Sequence, residues 1–234
     1  MERLGKWRDK GTGINPFIRR EERYYGLLLI GILRLPLYVF FSGLFYLTGN
    51  YYVGRLLLLI AGVKHIESNE AFISEDIIRP YSEGKLSSKP RHHKGDLIVC
   101  NSVCWLDQII LRLLFPGGTF VFPEGCPTNN RGVLKFQRDC CFEGLSANSR
   151  VRLIGFKYDP VPPPSWLNFA NTGVIVKTLS PEAIWQAPNF PSPADPEVFA
   201  LHCQQKIASL VHLKPLQMDL NDYLDFEGSH HQRR

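Results

Sequence analysis

Side chains suited to acid–base chemistry and to phosphate binding follow two short apolar runs of the chain. Leu97–Cys100 leads into a loop with Ser102 and Asp107. Residues 119–122 lead into a second loop with Glu124, Gly125, Asn129, Asn130 and Arg131, and Lys135 lies one turn further on. A carboxylate can accept or orient a proton, whereas a guanidinium beside an ammonium group binds a phosphate. The two loops therefore predict a site for a phosphate-bearing substrate.

Both loops are predicted to follow buried strands, which is the usual position of a ligand site in an α/β fold. Gly125 has no Cβ, so the backbone can approach a ligand closely there. From spacing alone, the same residues also fit a turn and a helix N-terminus with a solvated charge pair. The spacing by itself leaves both interpretations open.

Four predicted strands and two predicted helices organise the chain around these loops. Asp107 begins one helix, which Pro-Gly-Gly at 116–118 ends, and Asp195 caps another that has proline at its first position. Residues 64–95 are mostly polar, so the globular core is expected to begin after them. The predicted strands span residues 97–100, 119–122, 151–156 and 172–177.

An apolar block at residues 24–63 is interrupted only by Arg34 and Arg55. Its many tyrosines and phenylalanines are typical of a membrane interface, where the two arginines could extend to headgroups. The block is therefore interpreted as a membrane-embedded hairpin or interfacial helix pair, bent near Pro36 and Gly49-Asn50. Two alternatives are a single span over residues 35–54, which are uncharged, and two core helices of a soluble domain.

The composition indicates an ordered chain and excludes several functional classes. Of 234 residues, 44% are apolar and 21% are charged. The net charge of +5 suits an anionic membrane surface or phosphate-bearing substrates, and no basic helix with interleaved aromatic residues indicates nucleic acid. The six cysteines form no CxxC pair and no set with zinc spacing, which predicts reduced thiols and no metal. The charged first 23 residues predict that no cleavable signal peptide is present.

Several segments resemble motifs of the PlsC-type glycerolipid acyltransferases. Residues 122–125, Phe-Pro-Glu-Gly, and residues 128–132, Thr-Asn-Asn-Arg-Gly, resemble that family's FPEG motif and its continuation. Residues 101–107 are similar to its N-H-x-x-x-x-D block, and residues 151–158 to the strand that follows FPEG. Residues 7–17 resemble the N-terminus of a fungal branch of the family.

The resemblance implies an α/β fold, a PlsC-like acyltransferase domain in which helices flank a mixed sheet, with an N-terminal membrane-embedded helix pair. It divides the chain into four parts. These are a basic cytosolic arm (1–23), a membrane-associated helical hairpin (24–63), an acyltransferase-like domain (64–227) and a polar tail (228–234).

The resemblance also implies an activity, the acylation of lysophosphatidic acid by acyl-CoA to give phosphatidic acid. In the family a histidine takes the proton of the acceptor hydroxyl, and an aspartate, here Asp107, orients it. Glu124 and the nearby glycine, amide and cations would position the lysophospholipid head. Acyl-CoA is then a co-substrate, and neither a bound cofactor nor a metal is expected.

The chain departs from the family's pattern in two places. Ser102 stands where the family has its histidine, and a serine hydroxyl is too weak a base at neutral pH. Only 14 residues separate Asp107 from Phe122, where the family has several tens with a further arginine motif. His92 and His93 are either a replacement base or a solvated pair. A second hypothesis is therefore a degenerate or truncated paralogue that binds lipid or acts as a scaffold.

The resemblance finally implies a location at the endoplasmic reticulum membrane and the lipid droplet, with the catalytic domain facing the cytosol. Arg19, Arg20 and Arg23 precede the apolar block and favour a cytosolic N-terminus. The expected partners are acyl-CoA, a lysophospholipid and the membrane or lipid-droplet surface, with no nucleic acid.

Overall fold

The structure is a computed structural model that describes most of the chain. The described residues are 6–18, 25–74, 77–80, 96–137, 150–159, 161, 172–181, 184 and 195–231. The helices are α1 (Tyr25–Thr48), α2 (Tyr51–Ile60), α3 (Leu106–Leu114), α4 (Pro196–Leu210) and α5 (Leu220–His231). The strands are β1 (Val63–Ser74), β2 (Ile77–Pro80), β3 (Leu97–Cys100), β4 (Thr119–Val121), β5 (Gly132–Val133), β6 (Val151–Asp159), β7 (Thr172–Leu179) and β8 (Lys214–Pro215).

Six of the strands form one mixed sheet in the order β2-β1-β7-β6-β3-β4. β6, β3 and β4 run parallel to one another, β7 is antiparallel to β6, and β1 is parallel to β7. β5 and β8 form a separate parallel pair. The predicted α/β class with a mixed sheet and flanking helices is confirmed.

The four predicted strands and both predicted helices are confirmed, with ends that differ by up to three residues. The Asp195 side chain accepts the Val198 N–H and so caps α4 as predicted. The 14 residues between Asp107 and Phe122 form the rest of α3, a turn and β4. This short connection therefore completes a β3-α3-β4 crossover without a further strand.

The expectation that the core begins after residue 95 is wrong, because β1 already lies in the sheet. Its first half alternates between exposed residues, such as Lys64 and Glu67, and half-buried Ile66 and Ser68. A strand with one exposed face carries many polar residues, so its apolar signal is weak. Two proline-rich loops are predicted between residues 160 and 195, and most of their residues lie outside the part of the chain that the structure describes.

Two apolar cores cover the two faces of the sheet. Phe156 and Val176 pack with Leu57 of α2 and Ile110 of α3 on one face. On the other face the partners of β6 and β7 come from α4, and they include Phe199, Cys203 and Ile207. Burying one such aliphatic or aromatic side chain stabilises the fold by about 1.5–3 kcal/mol. β6 lies between the two cores and pairs with β3, the strand that precedes the first loop.

The apolar N-terminal block forms two helices that meet at residues 49 and 50. Gly49 has a φ of 60°, and its N–H donates to Phe45 O at 2.8 Å, which ends α1. The Asn50 side chain then accepts the Tyr52 N–H at 2.9 Å and caps α2. The bend predicted at this pair is confirmed, and the single straight helix over residues 35–54 is wrong. α1 runs through Pro36 without a break.

α2 packs closely on its neighbours because residue 54 is a glycine. A Cβ at Gly54 would lie 2.6 Å from the Phe45 ring and 2.7 Å from Leu113 Cδ1. The absent side chain thus lets α1, α2 and α3 approach one another. Within the described residues, no helix combines the length and apolarity needed to cross a membrane.

α1 and α2 each expose a row of apolar side chains to solvent. On α1 this row contains Leu33, Leu37, Phe40 and Leu47, and on α2 it contains Tyr52, Leu56 and Leu59. The members of each group are three, four or seven residues apart, which places them along one helical stripe. We call these seven residues the exposed apolar stripes.

The N-terminal arm is packed against the domain over residues 6–18. Trp7 and Phe17 are buried with Leu216 and Met218, and their rings contact Phe226 on α5. This contact also orders the end of the chain, where α5 continues to His231 and includes the first residues of the predicted polar tail.

Candidate active site

The two predicted loops lie side by side because the strands that precede them are paired. Leu97, Ile98 and Val99 of β3 pair in parallel with Thr119, Phe120 and Val121 of β4. Both carboxyl ends therefore open at the same edge of the sheet. The loop from Asn101 to Trp105 and the loop from Phe122 to Arg131 are neighbours there.

Asn101 extends the pairing of β3 by means of its side chain. Its Nδ2 donates to Phe156 O at 3.1 Å, and its Oδ1 accepts the Phe156 N–H at 2.7 Å. The amide thus satisfies both backbone polar groups of Phe156, as a neighbouring strand would. The chain can turn out of the sheet at residue 102 without leaving the Phe156 peptide groups unpaired.

Asp107 is buried at the start of α3, where its carboxylate binds the loop that precedes it. Oδ2 accepts the Val103 N–H at 2.7 Å and the Cys104 N–H at 2.9 Å. Oδ1 accepts a short hydrogen bond from the Tyr158 hydroxyl and lies 3.8 Å from Cys104 Sγ. Burial raises the pKa of Asp107 to about 6, because it outweighs the hydrogen bonds that favour the ionised form.

Glu124 is fully buried and joins the two loops. Its Oε1 accepts the Leu134 N–H at 2.7 Å, and its Oε2 accepts the Ser102 N–H in a short hydrogen bond. Burial raises the pKa of Glu124 to about 8, the two hydrogen bonds lower it, and the nearby Asp107 charge raises it. The carboxylate therefore positions backbone on both sides of the site and has no exposed surface.

Ser102 is half-buried, and its backbone is held from both sides. Its N–H donates to Glu124, and its carbonyl accepts the Thr128 N–H at 3.0 Å and the Thr128 hydroxyl at 3.2 Å. Among the residues that the structure describes, its hydroxyl has no hydrogen-bond partner. Asp107 thus orients the backbone after Ser102 and not the Ser102 side chain.

The second loop presents its cations to solvent. Gly125 has a φ of 71°, a left-handed conformation that favours glycine, and its N–H donates to Phe122 O at 3.1 Å. Asn130 also has a positive φ, 63°, and its Nδ2 donates to Tyr158 O at 2.8 Å. Arg131 and Lys135 are exposed. Within the described residues, no carboxylate forms an ion pair with either cation.

The predicted site residues therefore fall into two groups. Asp107, Glu124 and Asn130 are buried. Glu124 joins the two loops, Asp107 fixes the first loop, and Asn130 fixes the second loop to β6. Arg131 at the end of the second loop and Lys135 after β5 are exposed, with their side chains available to an anion. The roles assigned to both groups by resemblance remain predictions. His92 and His93 lie outside the described residues.

No group of side chains in the described part of the chain could hold a metal ion. Four of the six cysteines, Cys100, Cys104, Cys126 and Cys203, are described, and all four are buried free thiols. Burial raises the pKa of Cys126 to about 12, so this thiol is a poor metal ligand and nucleophile.

Three residues at the site were missed by the sequence reasoning. Tyr158 contacts Asp107, Thr128 contacts the Ser102 carbonyl, and Asn101 pairs with β6. A signal for Tyr158 was present, because strand alternation places it on the same face as Phe156. The other two act on backbone atoms, which sequence patterns do not reveal.

Comparison with known proteins gives similarity both in sequence and in structure. No family model matches the chain. The chain is 32% identical over 128 residues to lysophosphatidic acid:oleoyl-CoA acyltransferase 1 of Saccharomyces cerevisiae. That alignment covers 50% of this chain and only 39% of the length of the yeast protein.

The fold is similar to that of a solved bacterial enzyme. The crystal structure of PlsC, the 1-acyl-sn-glycerophosphate acyltransferase of Thermotoga maritima, matches with a TM-score of 0.51. The match covers 83% of this chain and 97% of the bacterial chain at 13% sequence identity, so it concerns the fold alone. The resemblance to the PlsC-type acyltransferases, first seen in the motifs, is thus confirmed in the sequence of one relative and in the fold of another.

Proposed function

We propose that the chain is an acyl-CoA-dependent acyltransferase that converts lysophosphatidic acid to phosphatidic acid. The observation that carries the proposal is the link between the two motif loops through the buried Glu124 carboxylate. This link joins the backbone of Ser102 to that of Leu134, three residues after the exposed Arg131. The similarity to two acyltransferases in sequence or fold supports the same reaction class.

The proposed reaction needs a bound phosphate head and a free hydroxyl beside a thioester. The hydroxyl oxygen of the acceptor attacks the carbonyl carbon of acyl-CoA, and a tetrahedral intermediate forms. The carbon–sulfur bond then breaks, and the proton of the hydroxyl ends on the sulfur of coenzyme A. Because a thiolate is a good leaving group, a base and an oxyanion donor suffice, and the proposal includes neither a metal nor a bound cofactor.

The residues contribute unequally to this proposed reaction. Arg131 and Lys135 bind the phosphate of lysophosphatidic acid, since a guanidinium forms paired hydrogen bonds with phosphate oxygens. Glu124 joins the two loops, and Asp107 fixes the backbone that follows Ser102. Ser102 marks the position of the base, and without an imidazole the rate falls by ~10²–10⁴ while substrate positioning is retained.

A second candidate function is lipid binding or scaffolding without turnover. The observation that favours it is that Asp107 accepts hydrogen bonds from backbone groups and from Tyr158, while the Ser102 hydroxyl has no partner among the described residues. Such a site holds the loops in place without an evident base. It would bind a lysophospholipid and release it unchanged.

The proposed location is a membrane or lipid-droplet surface of the endoplasmic reticulum, with the site on the cytosolic side. The exposed apolar stripes of α1 and α2 support an interfacial helix pair, since exposed apolar residues at helical spacing bury into the headgroup boundary. A lipid surface also concentrates both proposed substrates beside the site.

The deciding experiment is an acyl-transfer assay with membranes that contain the protein, labelled oleoyl-CoA and lysophosphatidic acid. Arg131→Ala is the first control, since the side chain is exposed and its loss leaves the buried links intact. Phosphatidic acid formation that falls in this variant supports the enzyme. Binding of lysophosphatidic acid without product, with the protein folded and present, would establish the second candidate in its place.

A further inference from the structure

Three consecutive residues before Arg131 are anchored to three different parts of the fold. Thr128 donates to the Ser102 carbonyl in the loop after β3. Asn130 donates to Tyr158 O on β6. Asn129, which lies between them, is anchored to the N-terminal segment 6–18. The loop is therefore fixed from three directions immediately before its exposed cation.

Asn129 is anchored through both its side chain and its backbone. Its side-chain Nδ2 donates to Asn15 O at 2.8 Å and to Ile18 O at 2.9 Å, and its N–H donates to Pro16 O at 2.8 Å. Its Oδ1 accepts the Arg131 N–H at 3.2 Å. One side chain thus connects the N-terminal segment to the backbone of the residue that carries the exposed guanidinium.

The N-terminal segment is itself fixed at several points. Asp9 accepts the Gln217 N–H at 2.9 Å on one carboxylate oxygen and the Thr12 N–H and hydroxyl, each at 2.8 Å, on the other. Trp7 donates to Asp225 Oδ2 at 3.0 Å. Segment 6–18 is therefore attached to the C-terminal part of the chain, and it gives Asn129 a firm support.

We propose that Asn129 is a positioning residue that fixes Arg131 for the phosphate monoester of the lipid acceptor, and that segment 6–18 is its support. The inference rests on the proposed function, because it names the residue that prepares the same site for its anionic substrate. A guanidinium on a fixed backbone loses less conformational entropy when it binds, so its anchoring improves affinity for a phosphate and not for an uncharged head.

The geometry distinguishes this role from simple loop stability. Arg131 is exposed and forms no ion pair within the described part of the chain, so no carboxylate of those residues fixes its side chain. On its other side, β5 begins at Gly132, and β8 pairs with it in parallel. Asn129 therefore connects segment 6–18 directly to the backbone N–H of Arg131.

The test compares Asn129→Ala, Arg131→Ala and the double variant with the unchanged protein. Each is assayed with lysophosphatidic acid and with monoacylglycerol, which lacks the phosphate. Asn129→Ala is expected to raise KM for lysophosphatidic acid about 10-fold, with kcat and the monoacylglycerol KM unchanged. Because Asn129 acts through Arg131, the double variant should equal Arg131→Ala within about twofold. Asp195→Ala, which removes the cap of α4, serves as a control for general destabilisation.

The outcomes separate this inference from the proposed function. If the unchanged protein is active and Asn129→Ala matches it or matches the Asp195→Ala control, the positioning role is wrong while the enzyme assignment stands. If the unchanged protein forms no product, binding of the two lipids in detergent micelles replaces the kinetic readout. If the unchanged protein binds lysophosphatidic acid more tightly than monoacylglycerol and Asn129→Ala loses this preference, the positioning role is supported although the protein is not an enzyme. If the unchanged protein binds both lipids equally, both the positioning role and the proposed function are wrong.

Discussion

The hydroxyl of Tyr158 on β6 donates a short hydrogen bond to Asp107 Oδ1 at the start of α3. Both residues are buried, and the other carboxylate oxygen already accepts the Val103 and Cys104 N–H groups. Burial and the Asp107 charge raise the pKa of Tyr158 well above its ordinary value, so the phenol remains a donor. The buried carboxylate is thereby linked to both the sheet and the loop that bears Ser102.

Tyr158→Phe is expected to lower the free energy of unfolding by about 2 kcal/mol, because a buried carboxylate loses a hydrogen bond. The pKa of Asp107 should rise further above about 6, since that hydrogen bond favours the ionised form. Urea unfolding at neutral pH measures the first effect. Tyr46→Phe removes the same hydroxyl from an exposed tyrosine and should change nothing. Equal stability of the two variants would contradict a stabilising Tyr158–Asp107 hydrogen bond.

The buried Glu124 predicts that stability falls as the pH rises. Its pKa in the folded protein is about 8, above the ordinary 4.5, so the folded state holds a proton that the unfolded state releases between these values. The contribution is complete below pH 4.5 and is lost as the pH passes through about 8. The raised pKa of Asp107, about 6, also makes the free energy of unfolding fall as the pH rises, but at lower pH. The free energy of unfolding should therefore drop by a few kcal/mol between pH 5 and 8.5.

Glu124→Gln is the matched variant for this pH dependence, because glutamine keeps the shape and cannot titrate. We expect its free energy of unfolding to change less with pH above pH 6 than that of the unchanged protein. Urea midpoints at several pH values give the comparison. If the free energy of unfolding depended on pH in the same way in both proteins, Glu124 would be ionised in the folded state at neutral pH. Its two N–H donors would then stabilise the ionised form.

Much of the fold could be predicted because its central strands are apolar on both faces. Residues 97–100 and 151–156 were predicted to be strands for this reason. The glycine and asparagine at 49 and 50 correctly indicated a helix boundary. β1 was missed because one of its faces is exposed and polar. A local pattern is informative where burial is complete and uninformative where an element is buried on one side only.

The two polar loops after the strands could be predicted, but the contacts of their side chains could not. Both loops were predicted to follow buried strands, and in the structure the strands that precede Asp107 and Glu124 are paired. The carboxylates of Asp107 and Glu124 bind backbone N–H groups. Because every residue except proline has such a group, the residue types in the sequence do not indicate which ones are bound. The attachment of Asn129 to the N-terminal segment joins residues more than a hundred positions apart, which a local pattern cannot reveal.

Ser102→His should raise the rate of acyl transfer by ~10²-fold, because an imidazole is an effective base near neutral pH and serine is not. Ser102→Ala should leave the rate unchanged, since the hydroxyl has no hydrogen-bond partner among the described residues. Initial rates with oleoyl-CoA and lysophosphatidic acid measure both. A large loss of rate in Ser102→Ala would show that the serine itself takes part in the reaction.

The exposed apolar stripes predict how the chain associates with lipid. Leu47 and Tyr52 are 84% and 81% exposed at the junction of α1 and α2, so their replacement by serine should not disturb the core. Each buried aliphatic or aromatic side chain contributes about 1.5–3 kcal/mol to transfer from water, so the double variant should bind vesicles at least ~100-fold more weakly. Flotation with vesicles of phosphatidylcholine and phosphatidic acid measures the bound fraction.

The control for this last prediction is a serine pair on another exposed apolar surface. Val198 and Leu201 of α4 are 39% and 43% exposed and lie on a helix that covers the opposite face of the sheet. Replacing Val198 and Leu201 by serine also removes two apolar side chains but leaves the exposed apolar stripes unchanged, so vesicle binding should be retained. If both pairs weaken binding equally, association depends on general hydrophobicity. If neither does, α1 and α2 do not dock on the lipid surface through these stripes.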